Sequence, residues 1–168
     1  MLANNEELLQ GKPMFPWKEN LTLWAFALTK VPLIALVRPW VVKINAKECE
    51  VKIPLNYLTR NHLKSLYFGT LAVGADCAGG LMALDAIRRS KKKVQLVFKD
   101  MRAHFLKRPE SDTHFICKDG EKIRRQVREA IRTRKRITRF ITVIATTPKV
   151  SGDEPVAEFK LGLSLKAE

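Results

Sequence analysis

Between residues 65 and 84 only one side chain is charged near neutral pH, Asp76. Around it stand Gly69, Ala72, Gly74, Ala75, Ala78, Gly79, Gly80 and Ala83, a run of small residues suited to a helix with other backbone packed closely on it. A carboxylate left in such a place needs a partner, a proton or a chemical task. Gly69 lies seven residues earlier, two helical turns away, and so on the same face. The first amides of a helix have no intrahelical partner and can hold the oxyanion that develops on an acyl carbonyl. Glycine there lets a substrate come close to the backbone. A carboxylate on that face can draw a proton from water as general base or attack directly as nucleophile. Burial raises its pKa and suits it to proton transfer. The competing expectation is a structural carboxylate, paired with an arginine or a backbone donor.

Asn61 and His62 fall in the polar loop just before this helix, and Ser65 is the expected N-cap. His104 and His114 fall on expected strands without a matching carboxylate nearby in sequence and read as surface or packing residues. Residues 122–139 hold nine cations and one acid. Ile123, Val127, Ala130 and Ile131 give this segment one packing face, and its charges point outward.

The elements that must position these residues follow from period and punctuation. Pro13, Pro16, Pro32 and Pro39 divide the first forty residues, which hold Trp17, Trp24 and Trp40. A helix is expected over residues 19–29, then a short helical turn ending before Pro39. This opening piece covers the end of a core or forms a lid over an apolar ligand. Residues 40–46 and 48–55 read as a hairpin turning at Asn45, rich in β-branched residues. The apolar helix ends in Arg88, Arg89 and residues 91–93, cations that suit the negative end of a helix dipole. Strands are expected over 94–106, 113–118, 137–146 and 155–165, with a basic helix over 121–134 and a loop over 148–155. In the last strand Ala157, Phe159, Leu161, Leu163 and Leu165 alternate with Glu158, Lys160, Gly162, Ser164 and Lys166, one face buried and one wet. The expected class is α+β: one antiparallel sheet curled round one long central helix, with an N-terminal helical extension (1–38), a main domain (39–168) and a small inserted basic helix.

A chain of 168 residues can fill one core. Its formal net charge of +14 favours an anionic partner: nucleic acid, an acidic membrane surface or a phosphorylated small molecule. Cys49, Cys77 and Cys117 are widely spaced, which argues against a disulfide framework or a structural zinc site and for a reducing, cytoplasmic setting. The acidic first residues lack a signal-peptide pattern. Residues 65–84 are long enough for a membrane span, but Asp76 at the centre costs about 2.5–3.5 kcal/mol on insertion scales, so a core helix is expected instead.

With these elements in place the chain resembles the hotdog fold, and within it the acyl-CoA thioesterases of the phenylacetate-degradation type and their uncharacterised relatives. The resemblance runs from about residue 40 to 165. It rests on the order of elements, on Tyr67-Phe68-Gly69 at the helix opening, on Ala75-Asp76 two turns on, and on the turn from Phe105 to Pro109 after the next strand. Tyr67 and Phe68 stand where that family has histidine and a first glycine. The resemblance implies an acyl-CoA thioesterase with Asp76, Gly69, Asn61 and His62 in the catalytic site, and with Tyr67, Phe68 and Thr70 touching the substrate. It further implies no cofactor, no metal, and a homodimer or dimer of dimers whose active sites form between subunits. Two other readings stay open. One is a hotdog protein that binds an acyl-CoA or acyl group without catalysis. The other is a basic nucleic-acid-binding module, against which stands the lack of aromatics interleaved with the cations.

Overall fold

A computed structural model of the chain describes residues 16–168. The expectations for the acidic first residues and for Pro13 lie outside that range. Two helices, α1 (Trp17–Lys30) and α2 (Pro32–Leu36), lead into the hairpin β1 (Trp40–Ile44) and β2 (Cys49–Ile53). The long helix α3 (Phe68–Ser90) follows, then β3 (Val94–Phe105) and β4 (Thr113–Cys117). The basic helix α4 (Gly120–Thr133), β5 (Ile137–Thr146), the short α5 (Pro148–Ser151) and β6 (Pro155–Ala167) complete the chain. The six strands form one antiparallel sheet in the order β1-β2-β4-β5-β6-β3.

The sheet wraps α3, as the alternating strands required. Phe115, Ile141, Phe159, Leu161, Leu163 and Leu165 are fully buried on its inner face. The small residues of α3 are what let it close. A Cβ on Gly74 would fall 2.3 Å from the Phe115 ring, so only glycine admits that ring against the helix backbone. By length and composition α3 could cross a membrane, but 61% of its apolar window is buried inside the fold.

α1 is fixed to the sheet by one residue. The Asn20 side-chain amide donates to the Val41 carbonyl at 2.9 Å, and its carbonyl oxygen accepts from the Val41 amide at 2.8 Å. This pairing satisfies an edge of β1 that would otherwise be open there.

Three local expectations are corrected. Ser65 does not cap α3. It sits in an irregular loop where its amide and hydroxyl bond Asn61, and Tyr67 occupies the N-cap position without a side-chain cap. The 148–155 loop contains α5, started by Pro148. Gly162 and Ser164, expected on the wet face of β6, are buried. Gly162 lies against Asp100 where the β3 register shifts between Phe98 and Met101, and Ser164 accepts from Arg136 at 3.2 Å and from Thr138 at 3.1 Å.

Candidate active site

The sheet leaves one strip of α3 incompletely covered. Gly69, Ala72, Val73, Asp76 and Gly80 lie along it and are half-buried. Asp76 opens into an apolar pocket of about 290 Å³. Its walls are Leu23 and Phe26 of α1, Ile34 of α2, Leu81 and Leu84 of α3, and Val94, Leu96 and Phe98 of β3, with Val31 between the two helices.

Among the described residues no hydrogen bond or ion pair reaches the Asp76 carboxylate. Burial alone pushes its pKa above the usual carboxylate range. The expectation of an arginine-paired structural carboxylate is therefore corrected. Arg88 and Arg89, one helical stretch further on, hold Asp85 instead, at 2.9 and 2.6 Å. Neighbouring Cys77 is buried, and desolvation followed by the Asp76 charge drives its thiol pKa upward, which disfavours a thiolate beside the carboxylate.

The other candidates gather at the start of α3. The Leu71 amide donates to the Tyr67 carbonyl, so those of Phe68, Gly69 and Thr70 precede the first i→i−4 bond of the helix. The Tyr67 ring lies over Gly69, where a Cβ would come within 2.6 Å of Tyr67 Cε1. The absence of a side chain at Gly69 thus makes room for that ring. Tyr67 and Phe68 are exposed and stack edge-on at 4.8 Å, and Phe68 continues to Phe105 at 6.5 Å. Thr70 is buried, with its hydroxyl 3.4 Å from the Thr59 carbonyl.

Asn61 organises the preceding loop. Its carbonyl oxygen accepts from the amides of Leu63 at 2.9 Å and Ser65 at 3.2 Å. His62 is exposed and lines a separate surface hollow with Tyr57, Arg60, Asn61 and Lys64. Gly69 and Asp76 share a face, but at 1.5 Å rise per residue they stand about 10 Å apart along the axis. A single acyl carbonyl cannot touch both within one chain. The structure thus separates two groups: Asp76 in its pocket, and Asn61, His62, Tyr67, Phe68 and Gly69 around the helix start.

Trp24 does not line the Asp76 pocket. Leu23 and Phe26 do, three residues apart on α1. That i, i+3 spacing of apolar residues is the sequence signal for this wall. His114, which has no carboxylate near it in sequence, finds one across the β2–β4 pair, with Nδ1 2.6 Å from Glu50 Oε1.

The fold recurs in solved structures. A provisionally named thioesterase from Shewanella oneidensis superposes with a TM-score of 0.75 at 13% identity, over 90% of this chain and 99% of that one. A Pseudomonas aeruginosa protein of unknown function, described as a probable thioesterase, gives 0.74 at 20%, over 93% and 98%. A thioesterase from Haemophilus influenzae gives 0.62 at 13%, over 85% and 88%. At these identities the likeness is one of fold, and that fold is the hotdog fold. No curated protein matches the chain. Residues 20–152 match the family model DUF4442, described as a domain of unknown function, and the chain belongs to that family.

Proposed function

We propose that this protein hydrolyses an acyl thioester, with acyl-CoA as the substrate class. The observation that carries the reading is Asp76: a half-buried carboxylate with no partner among the described residues, at the wall of an apolar pocket, on the helix that the sheet encloses. In this reading the acyl chain occupies the pocket and the thioester carbonyl lies beside Asp76. The carboxylate takes a proton from the attacking water, and the thiolate leaves from the resulting oxyanion. The raised pKa strengthens Asp76 as a base.

The amides at the start of α3 supply the oxyanion donors, and the 10 Å separation requires that they come from a second copy of the chain. The edge of the sheet supports such a pairing. β3 is twelve residues long, ends the strand order, and exposes Val97, Met101 and Phe105. A long unpaired edge of this kind is a template for another strand. Asn61 and His62 then belong to the donor side of the shared site.

The deciding experiment is a hydrolysis screen across acyl-CoAs from short to long, read by released thiol, with Asp76→Asn as control. Hydrolysis that survives unchanged in the asparagine variant removes Asp76 from the chemistry. A second reading, acyl binding without hydrolysis, is favoured by the Tyr67 ring lying over Gly69. Saturable acyl-CoA binding with no thiol release from the native chain would select it.

The pocket wall makes a separate prediction. Phe26→Ala enlarges the cavity beside Leu23, so the preference should move toward longer acyl chains. The ratio of kcat/KM for long over short substrates should change by about tenfold, the low end for a methylene-scale change in an apolar pocket. An unchanged ratio would mean that the chain lies elsewhere.

A further inference from the structure

The mouth of the Asp76 pocket is greasy on the outside as well as within. Phe26, Val31 and Leu84 line it and are each 37–40% exposed, and Leu33, beside Val31, is 56% exposed. One end of the pocket leads directly into the most basic part of the molecule. Val94 lines the pocket, and residues 91–93 before it are three exposed lysines. Leu96 also lines it, and the register runs Leu96–Leu165–Ile137 across three strands. Two strand spacings put Ile137 about 10 Å from Leu96. The residues leading into Ile137, Arg134, Lys135 and Arg136, are all exposed cations.

Two of the acids near this end are neutralised by arginines, and a third has a neutral partner. Asp85 is held by Arg88 and Arg89, Glu129 by Arg139 at 2.5 Å, and Glu168 accepts from Gln95 at 3.2 Å. The six exposed cations at 91–93 and 134–136 outnumber Glu168, whose charge the neutral Gln95 amide leaves in place beside Lys93, so the field at this end is net positive.

We propose that this end of the molecule docks on an anionic lipid bilayer, with the basic residues at 91–93 and 134–136 on the headgroups and the apolar rim of Phe26, Val31, Leu33 and Leu84 in the interfacial layer. Three partners compete for such a surface, and only one uses all of it. A nucleic acid would engage the cations and leave the apolar rim in water. A second copy of this chain would bury the rim but bring the same cations against these. An anionic bilayer takes both, through charge attraction plus shallow apolar burial. The proposal rests on the surface alone and not on thioester hydrolysis, so its failure and the failure of the enzymatic reading are separable.

The test is flotation of the full chain with phosphatidylcholine vesicles, with and without about 30 mol% phosphatidylglycerol, at low and high salt. Binding should require the anionic lipid and fall with salt. Charge reversal of residues 91–93 (Lys91→Glu, Lys92→Glu, Lys93→Glu) should weaken it by roughly 100-fold or more, since each lysine near the surface contributes about fivefold. Leu33→Asn should weaken it by several-fold at unchanged charge. All these positions are exposed, and a thermal melt confirms that each variant is folded. Equal binding to neutral vesicles, or none to anionic ones, overturns the proposal. So does a Leu33→Asn variant that loses self-association on a sizing column while floating as before, and so does salt-sensitive binding to generic duplex DNA without flotation.

Discussion

Replacing Asp76 with asparagine should lower thioester hydrolysis by about 10²–10⁴-fold, the range for loss of a positioned general base. Acyl-CoA binding should persist, because the pocket walls are untouched and asparagine is nearly isosteric. Two further measurements separate a catalytic role from a structural one. The first is the pH profile of kcat/KM in the native chain. The base must be ionised to act, and burial holds its pKa above the usual carboxylate range. Activity should therefore fall off on the acid side at a higher pH than an exposed aspartate would give. The second is stability. The folded state binds the Asp76 proton more tightly than the unfolded state does. The unfolding free energy therefore drops as pH rises from the unfolded pKa to the folded one. Above both values the ionised carboxylate carries the full desolvation penalty, and Asp76→Asn removes it. The variant should thus melt higher than the native chain at neutral pH, with the difference vanishing at pH below about 3.9, the unfolded aspartate value. A residue that gains stability when its charge is removed, while activity is lost, is held there for function. A variant that melts lower at neutral pH and keeps its activity would reverse the conclusion.

Much of the fold could be read from residue types. Strict alternation in β6 specified one buried face, and the small-residue run in α3 specified a helix with close neighbours. The ends of elements were less visible. Ser65 looked like a cap because its type fits, yet Asn61 reached it first through a local turn, and such competition between side chain and backbone is decided by loop geometry. Ser164 and Gly162 read as wet because period two was extended without a break, while the register shift in β3 brought Asp100 over Gly162, and Arg136, at the entry to β5, covers Ser164 from the other side. At the candidate site, Asp76 stood out because an isolated charge in an apolar run is a local signal. Its pocket did not, because Phe26 and Phe98 meet there from elements about seventy residues apart. The separation of Gly69 from Asp76 was implicit in the helical rise itself: a shared face is not a shared atom position.

The packing that encloses Asp76 depends most on Phe115. Its ring is fully buried on β4, between Val51 and Ala145 in the strand register, and presses on the backbone of α3 at Gly74. Phe115→Ala should cost about 3–5 kcal/mol, the sum of lost transfer energy and the cavity left behind. Against a total stability of about 5–15 kcal/mol, that brings the chain close to unfolding at physiological temperature. The neighbouring change should behave in the opposite way depending on background. Gly74→Ala in the native chain forces a methyl to within 2.3 Å of the ring and should cost about 1–3 kcal/mol through overpacking. In the Phe115→Ala background the ring is gone, and the same methyl fills part of the cavity. Alanine also restrains the helix backbone better than glycine by about 0.5–1 kcal/mol. Gly74→Ala should then stabilise rather than destabilise. A double-mutant cycle by urea denaturation should return an interaction energy of at least about 1 kcal/mol. Additive effects would mean that the ring and the helix backbone do not bear on each other, and that the closeness of sheet and helix at this point rests on something other than the missing side chain.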